Sequence, residues 1–285
     1  MQIDGRALAH DILVHLAADV GDLAQKGTIP TLAVILVGDD LGSRSYIKQK
    51  QKAAEQMGAK LILSHQQSDV SYQQIQSIIE KYNTNPAIHG IILQRPLPES
   101  LDAQSTALCS TILLSKDVDG FLPNSPYPVP VAEAVIAILR FVFAQLDTSV
   151  QLAQFDLWLK KQHIMVLGRG ETAGEPIADA LLKTGCKVTI VHSQTPNPNE
   201  VTKAADILIN CVGKPNVVRR DNIKRGAILI SVGLWRDSTG KLHGDYEEDD
   251  IKDVASFYTP TPGGVGPVNV AYLMANLVNA ANKLL

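Results

Sequence analysis

Apolar positions along the chain follow two patterns: short continuous apolar runs, and longer stretches in which apolar residues recur at helical spacing. The continuous runs predict strands at 31–37, 60–64, 88–94, 163–167, 187–191, 206–211 and 227–232. The helical spacing predicts helices at 6–26, 43–52, 71–82, 131–146, 172–184 and 268–285. Because strands and helices alternate, the sequence predicts an α/β fold with largely parallel sheets.

A proline-rich stretch from Asn124 to Pro130 separates the first three predicted strands from the last four. The length of 285 residues allows two domains, and 45% hydrophobic residues allow each a core. We predict one domain over residues 1–126, completed by the C-terminal helix in 264–285, and a second domain over residues 127–263. The segment 141–162 receives no functional assignment.

Composition and charge restrict the partners of this protein. The formal net charge of −3 provides no large basic field for nucleic acid or an anionic membrane. The N-terminus has no apolar signal core, and no apolar run approaches the roughly 18 residues of a membrane span. Cys109, Cys186 and Cys211 show no CxxC spacing, and no carboxylate cluster has metal-ligand spacing. We predict a cytoplasmic protein that binds small molecules and no metal.

The stretch from Ser43 to Lys52 carries the first candidate chemistry. On a helix, Tyr46 and Lys50 at i and i+4 share one face, with Cβ atoms about 5–6 Å apart. An aromatic ring beside an amine suits a flat substrate, because the ring stacks on it while the amine moves a proton at its edge. The alternative is an amphipathic helix whose lysines are solvated and whose tyrosine supports the core.

Two more polar residues follow elements of the first domain. Gln94 ends the strand at 88–94, and ligands of parallel sheets gather at the carboxyl ends of strands. Asp119 lies in a Lys-Asp-Val-Asp-Gly-Phe stretch, where its two oxygens suit paired N–H donors of a heterocycle. The alternatives are an amide that ties down the proline loop after Gln94 and a turn that uses aspartate.

The second candidate site begins with Gly168, Arg169 and Gly170 after the strand at 163–167. Its spacing, GxGxxxG, is a weak fingerprint, but the next helix and the strand at 187–191 complete the βαβ unit of a dinucleotide site. No carboxylate ends that second strand, so nothing there would repel a 2′-phosphate. Arg169 and Ser193 therefore favour NADP over NAD, with a surface ion pair as the alternative for Arg169.

Four later stretches complete the pattern. Val212-Gly213 and Gly233-Leu234 follow predicted strands and let the backbone approach a cofactor closely. The acidic run 245–253 is interpreted as a solvated face. The Gly- and Pro-rich stretch 259–267 either presents backbone N–H groups to a ligand or forms a stiff return between domains.

Together these motifs resemble the bifunctional methylenetetrahydrofolate dehydrogenase/methenyltetrahydrofolate cyclohydrolase family over essentially the whole chain. Seven motifs occur in the family's order: Val37-Gly38-Asp39-Asp40, Ser43-x-x-Tyr46-x-x-x-Lys50-x-Lys52, Gln94-x-Pro96-Leu97-Pro98, Lys116-Asp117-Val118-Asp119-Gly120-Phe121, Gly168-Arg169, Val212-Gly213-Lys214-Pro215 and Pro262-Gly263-Gly264-Val265-Gly266-Pro267. The resemblance implies a folate-binding domain, a Rossmann-like NADP-binding domain and an interdomain cleft. It also implies a homodimer that acts on tetrahydrofolate derivatives.

The resemblance implies a role for each matched position. Tyr46 stacks on the folate, and Asp119 holds the pterin. Lys50 carries the cyclohydrolase step with the support of Gln94. The other implied folate contacts are Ser43, Leu93, Arg95, Pro262, Gly263, Gly264 and Val265. The implied cofactor contacts are Gly168, Arg169, Gly170, Ser193, Val212, Gly213, Gly233 and Leu234. Desolvation and the neighbouring cations Lys48, Lys52 and Arg95 are expected to lower the pKa of Lys50.

The chain departs from the family pattern at several positions. Gly170 stands where a serine is common, Ser231 where an aspartate precedes Val-Gly, and Arg95 where an apolar residue is typical. Pro128-Val129-Pro130 replaces Pro-Cys-Thr-Pro, and Val268-Asn269 replaces Met-Thr. These departures leave two alternatives: a monofunctional dehydrogenase or cyclohydrolase, and a non-catalytic dinucleotide-binding regulatory subunit.

Overall fold

The computed structural model describes residues 1–146 and 154–283. The helices are α1 (Gly5–Gln25), α2 (Leu41–Gln56), α3 (Tyr72–Thr84), α4 (Glu99–Asp102), α5 (Ser105–Cys109), α6 (Pro130–Leu146), α7 (Phe155–Leu159), α8 (Gly174–Lys183), α9 (Pro198–Thr202), α10 (Glu248–Ile251) and α11 (Val265–Lys283). The strands are β1 (Thr31–Val37), β2 (Lys60–Gln66), β3 (Gly90–Leu93), β4 (Ile164–Leu167), β5 (Val188–Val191), β6 (Ile207–Asn210), β7 (Ile228–Ser231), β8 (Trp235–Arg236), β9 (Leu242–His243) and β10 (Phe257–Tyr258).

The seven predicted strands and the six predicted helices are all confirmed, with shifts of a few residues at their ends. The structure adds three two-residue strands and several short helices that the apolar pattern did not indicate. The predicted α/β class with parallel sheets is therefore correct. Of the unassigned segment 141–162, residues 147–153 lie outside the described residues.

The chain forms two compact units, which we call the three-stranded unit and the five-stranded unit. The three-stranded unit comprises His10–Pro130 and Val270–Leu285, and the five-stranded unit comprises Met1–Ala9 and Val131–Asn269. The predicted domains, 1–126 with 264–285 and 127–263, stay a prediction.

The three-stranded unit is built around β1. Its sheet has the order β2-β1-β3 with parallel pairing, and all seven residues of β1 are buried. A core cluster that includes Ile35, Ile79 and Leu108 packs on this sheet. Burial on both faces explains the continuous apolar run in the sequence. The chain leaves β1 and β3 at one end of the sheet, which is where the first candidate residues lie.

The five-stranded unit carries a parallel sheet of order β10-β7-β6-β4-β5. The chain passes from β4 to β5 on one side and then returns to β6 on the other side of β4. The strand order therefore reverses between β4 and β6, and ligands of such sheets bind outside the carboxyl ends at this switch point. In this sheet the switch point lies next to Gly168 and the residues that follow Asn210.

None of the helices in the described residues is long and apolar enough to cross a membrane.

Candidate active site and cofactor site

The start of α2 is fixed by its capping residue. After β1 the chain turns at Gly38, and the Asp40 carboxylate accepts a hydrogen bond from the Ser43 backbone N–H at 2.7 Å. This satisfies one of the free N–H groups of the first helical turn. The helix then carries Tyr46 and Lys50 on one face, and the Lys50 ammonium lies 4.9 Å from the centroid of the Tyr46 ring.

Lys50 is a buried lysine with a defined partner. Its side chain is 3% exposed, and its Nζ donates a hydrogen bond to Gln94 Oε1 at 3.0 Å. The Gln94 Nε2 group donates in turn to the Arg95 carbonyl oxygen at 2.8 Å, which fixes the orientation of the amide. Gln94 thus contacts the amine and also ties down the proline loop, so both interpretations of this residue apply.

Electrostatics link Asp119 to the same group. Burial lowers the pKa of Lys50, while the negative charge of Asp119 acts in the opposite direction. Burial raises the pKa of Tyr46, and Asp119 adds to that shift. The expectation that neighbouring cations lower the pKa of Lys50 is wrong, because desolvation is the cause and the charge acting on it is negative. We call Tyr46, Lys50, Gln94 and Asp119 the Lys50 group.

The two aspartates of the 116–121 stretch have different surroundings. Asp117 is buried, and its Oδ2 accepts a hydrogen bond from the Leu122 N–H at 3.0 Å. The Asp117 carbonyl oxygen accepts a second from the Ser125 hydroxyl at 3.3 Å. The turn interpretation therefore applies to Asp117. Asp119 is only partly buried and acts on Tyr46 and Lys50 through its charge.

A second buried lysine shows what a purely structural contact looks like here. Lys116 is 4% exposed, and its Nζ donates to the carbonyl oxygens of Tyr82 at 2.8 Å and Asn85 at 2.7 Å. Burial lowers its pKa as well. Lys116 joins the 3₁₀ turn Leu114–Lys116 to the C-terminal end of α3 through backbone acceptors, whereas Lys50 contacts an aromatic ring and a side-chain amide.

The remaining predicted folate contacts of this unit surround the proline loop. The Ser43 hydroxyl donates to the Arg95 carbonyl oxygen at 3.5 Å. The Arg95 guanidinium lies 5.3 Å from the centroid of the Phe121 ring, a cation–π distance. Leu93 is 5% exposed and belongs to the apolar core.

Sequence analysis missed one residue that supports the loop around Asp119. Asn276 on α11 is 3% exposed, and its Nδ2 donates to the carbonyl oxygens of Val118 and Pro128, both at 2.8 Å. These two bonds hold both ends of the 118–128 loop. The available indication in the sequence was a lone asparagine within an apolar helical pattern.

In the five-stranded unit, two glycines allow the turn between β4 and α8. Gly168 has a φ of +96°, and a Cβ there would lie 2.9 Å from the Cys211 carbonyl oxygen. A Cβ on Gly174 would lie 2.1 Å from the Gly168 carbonyl oxygen. Only glycine fits both positions. Arg169 and Gly170 are exposed on this turn, just before the N-terminal end of α8.

The turn after β5 carries the predicted 2′-phosphate contact. The His192 N–H donates to Thr195 Oγ1 at 3.0 Å, and the Thr195 N–H donates to the His192 carbonyl oxygen at 2.9 Å. This closed turn leaves Ser193 exposed. As the sequence indicated, the strand ends without a carboxylate.

The prediction that the acidic run 245–253 is a solvated face is wrong for its first residue. Asp245 is 0% exposed. Its carboxylate accepts hydrogen bonds from the backbone N–H groups of Val212 at 3.2 Å, Gly213 at 2.6 Å and Lys214 at 3.0 Å. The Gly233 N–H donates to the Asn210 carbonyl oxygen at 2.9 Å and also lowers the pKa of the Asp245 carboxylate. Burial raises the pKa of Asp245, while these donors lower it. We call Asp245, residues 212–214 and Gly233 the Asp245 cradle.

The 259–267 stretch keeps its backbone close to the N-terminal segment of the same unit. A Cβ on Gly5 would lie 1.9 Å from the Gly264 carbonyl oxygen, and one on Gly263 would lie 3.2 Å from Arg6 Cζ. The last helix begins at Val265, three residues before the predicted start. Pro262, Gly263 and Gly264 thus form a tight turn directly before a helix.

Within residues 1–146 and 154–283, no group of three or more His, Cys, Asp or Glu side chains is placed to hold a metal ion.

Comparison with known protein families matches both parts of the chain. Residues 3–119 match the family model of the tetrahydrofolate dehydrogenase/cyclohydrolase catalytic domain. Residues 148–285 match the model of the NAD(P)-binding domain of the same family.

Individual relatives agree with this match. The bifunctional protein FolD of Bacillus velezensis is 40% identical over 284 residues, which cover 99% of this chain and 98% of that protein. The protein of the same name from Bacillus subtilis is 39% identical with the same coverage.

Solved structures agree with the fold. The bifunctional FolD dehydrogenase/cyclohydrolase of Campylobacter jejuni superposes with a TM-score of 0.90 at 32% identity, covering 100% of this chain and 99% of that one. The Trypanosoma brucei dehydrogenase-cyclohydrolase, solved with NADP cofactor and an inhibitor, gives a TM-score of 0.88 at 32% identity, covering 99% and 97%.

Proposed function

This chain belongs to the tetrahydrofolate dehydrogenase/cyclohydrolase family, and we propose from that premise that it carries out both reactions of a bifunctional enzyme. It oxidises 5,10-methylenetetrahydrofolate to 5,10-methenyltetrahydrofolate with NADP⁺ and then hydrolyses that product to 10-formyltetrahydrofolate. The observation that carries the proposal is the Lys50 group, in which a buried amine, an oriented amide, an aromatic ring and a carboxylate act on one another.

The first reaction depends mainly on orientation. NADP⁺, when bound, accepts a hydride from the methylene carbon, and the folate is left as a methenyl cation. The residues of this chain position the two reactants. Tyr46 stacks on the folate, and the Asp119 carboxylate accepts the N–H donors of the pterin with its two oxygens.

The second reaction needs proton transfer. Water adds to the methenyl carbon and loses one proton, which gives a neutral carbinolamine. As the carbon–N5 bond then breaks, the remaining hydroxyl proton leaves and N5 takes up a proton, so the formyl group stays on N10. Lys50 is suited to this transfer, because burial lowers its pKa and so increases the fraction of the amine that is neutral. The hydrogen bond that Nζ donates to Gln94 Oε1 at 3.0 Å holds the amine in place.

The residues of the five-stranded unit fit a dinucleotide. Gly168 and Gly174 leave room where a Cβ would fill the turn, and this turn lies at the switch point of the sheet. Arg169 and Ser193 are exposed cation and hydroxyl groups for the 2′-phosphate of NADP. Gly170, Val212, Gly213, Gly233 and Leu234 supply backbone close to the cofactor.

The oligomer is proposed to be a homodimer that assembles through β2. This strand is an edge of the three-stranded sheet, and its Ile62 and Leu63 side chains are 42% and 46% exposed. An unpaired apolar edge strand is a template for pairing with a second copy. Light scattering should give twice the chain mass for the native protein and the chain mass for Leu63→Lys; a monomeric native protein contradicts the proposal.

The proposed location is the cytoplasm. Within the part of the chain that the structure describes, no disulfide joins Cys109, Cys186 or Cys211, as is usual in a reducing compartment. Recovery of the untagged protein with the cytoplasmic fraction of its own cells would support this location, and recovery with secreted or membrane fractions would contradict it.

One assay tests the activity. The protein is incubated with 5,10-methylenetetrahydrofolate and either NADP⁺ or NAD⁺, and cofactor reduction and methenyl absorbance are followed. Acid converts 10-formyltetrahydrofolate back to the methenyl form, so the rise on acidification measures the formyl product. We expect NADP⁺ to be reduced with little free methenyl product and a large rise in acid. No reduction with either nucleotide would leave only a cyclohydrolase or a regulatory protein.

A further inference from the structure

We infer that Asp245 is a positioning residue of the dehydrogenase reaction, which holds the loop after β6 and the loop after β7 in the shape that binds NADP. This inference rests on the proposed roles of Val212, Gly213 and Gly233 as cofactor contacts. It concerns a residue that the motifs of the sequence did not single out.

The hydrogen bonds show why Asp245 acts through the loops. An ionised carboxylate offers about four acceptor positions. Three N–H donors, from residues 212–214, occupy acceptor positions of the Asp245 carboxylate, and Gly233 packs against its Oδ2. With 0% exposure, this carboxylate has no surface for a ligand. Its effect on the cofactor must therefore pass through the backbone that it holds.

Gly233 shows how closely the two loops approach. A Cβ on Gly233 would lie 2.3 Å from Asp245 Oδ2 and 2.3 Å from the Gly213 nitrogen. A Cβ on Gly213 would lie 2.9 Å from the Leu234 carbonyl oxygen. The loops thus pack backbone against backbone around one carboxylate, and a side chain at Gly233 would separate them.

The neighbouring strand ends hold Asp245 itself. The Asp245 N–H donates to Ser231 Oγ at 3.2 Å, and the Ser231 N–H donates to Thr259 Oγ1 at 2.8 Å. Asp245 is therefore connected to the last residue of β7, the strand that pairs with β6 on the side away from the switch point. Ser231, one of the departures from the family pattern, has a defined role in this arrangement.

The central variant is Asp245→Asn. An asparagine has one acceptor oxygen and an NH₂ group, so at least one of the three N–H donors loses its acceptor. We expect the KM for NADP⁺ to rise about tenfold or more, since hydrogen bonds to a charged group are the strong ones. The kcat at saturating NADP⁺ should change much less. Cyclohydrolase activity on added methenyltetrahydrofolate needs no cofactor and should stay within about twofold.

Two further variants test the same arrangement by different means. Gly233→Ala should raise the KM for NADP⁺ like Asp245→Asn, because its methyl group would meet the Asp245 carboxylate. Ser231→Ala removes one contact to the Asp245 backbone and should cause a smaller rise. Ser231→Ala also remains informative if Asp245→Asn does not fold.

Asp250→Asn is the matched control. Asp250 lies in the same acidic run and accepts one backbone N–H, from Arg220 at 3.0 Å. Its replacement should leave the KM for NADP⁺ unchanged. The inference is overturned if Asp245→Asn keeps the native KM for NADP⁺, or if both activities fall in parallel with the folded fraction. Failure of the native protein to reduce NADP⁺ would instead reject the proposed function.

Discussion

The Lys50 group and the Asp245 cradle differ in which atoms carry the proposed chemistry: side chains in the first, and backbone N–H groups in the second. In the Lys50 group the proposed chemistry lies in the side chains: Lys50 contacts Gln94 and the Tyr46 ring, and Asp119 acts on both Lys50 and Tyr46 through its charge. In the Asp245 cradle the side chain is enclosed, and the loops are shaped by backbone N–H groups. The comparison teaches that proton transfer requires particular side chains, whereas dinucleotide binding requires a particular backbone.

The same comparison holds for charge. Both Lys50 and Asp245 are buried, and burial disfavours the charged form of each, lowering the pKa of the lysine and raising that of the aspartate. Asp245 is compensated by several fixed N–H donors. Lys50 has one amide acceptor and the charge of a partly exposed aspartate. The less compensated group is the one suited to exchange a proton.

The largest effect is expected for Lys50→Met, which removes the amine and keeps the side-chain length. Cyclohydrolase activity should fall by about 10²–10⁴, the usual contribution of a general acid–base group. Hydride transfer should fall much less, so methenyltetrahydrofolate should accumulate and can be followed by its absorbance. Lys48→Met, on the exposed face of α2, is the control and should keep both activities. Full cyclohydrolase activity in Lys50→Met would remove Lys50 from its role.

Asp119→Asn should separate substrate binding from cofactor binding. Loss of a charged acceptor for the pterin costs about 1.5–3 kcal/mol, which corresponds to a rise of about tenfold or more in the KM for the folate. The KM for NADP⁺ should not change. Asp117→Asn makes the same replacement two residues earlier and keeps an acceptor for the Leu122 N–H, so the folate KM should stay native. Equal effects of the two variants would contradict the assignment of Asp119.

The burial of Lys50 predicts a pH-dependent cost in stability. Because its pKa is lowered on folding, the unfolded state binds more protons, and stability rises with pH from the folded pKa toward the unfolded value of about 10.4. The cost is fully present below the folded pKa. Urea denaturation should therefore give Lys50→Met a higher free energy of unfolding than the native protein at neutral pH. At alkaline pH this difference should be smaller. A difference that does not vary with pH would contradict this.

The smallest effect concerns Asn210, the last residue of β6, which comes just before the cradle residues 212–214. Asn210 is 0% exposed, and neither atom of its side-chain amide has a hydrogen-bond partner. An unsatisfied buried amide is costly, so Asn210→Val should raise the free energy of unfolding by about 1 kcal/mol. Ile209→Val in the same strand is the control for a change in buried volume. It should lower the free energy of unfolding by about 1 kcal/mol. A loss of stability in Asn210→Val would show that the amide has a partner such as a bound water.

The fold could be predicted from the sequence because each long helix or buried strand leaves a local pattern of apolar residues. The seven apolar runs became the strands of two parallel sheets, and burial on both faces explains why β1 reads as a continuous apolar run. The short strands β8, β9 and β10 could not be predicted in this way. They are two residues long, and such pairs depend on neighbours in space.

The sequence by itself determined the Lys50 group. Tyr46 and Lys50 share a face because a helix repeats every 3.6 residues, and Gln94 lies at the end of a strand beside the one that precedes their helix. Side-chain identity and local spacing indicated these residues as candidates, and the resemblance to a known family assigned their expected roles. The same information placed Gly168 at the turn of a βαβ unit.

Only the tertiary structure decided the role of Asp245 and of Asn276. Asp245 is 32 residues from Gly213, and Asn276 is 158 residues from Val118. Their partners are backbone N–H and C=O groups, which every residue carries apart from the N–H that proline lacks, so no residue type marks them in a sequence. An aspartate in an acidic run is therefore indistinguishable from a solvated one until folding brings the loops to it, because its burial depends on the packing of distant segments.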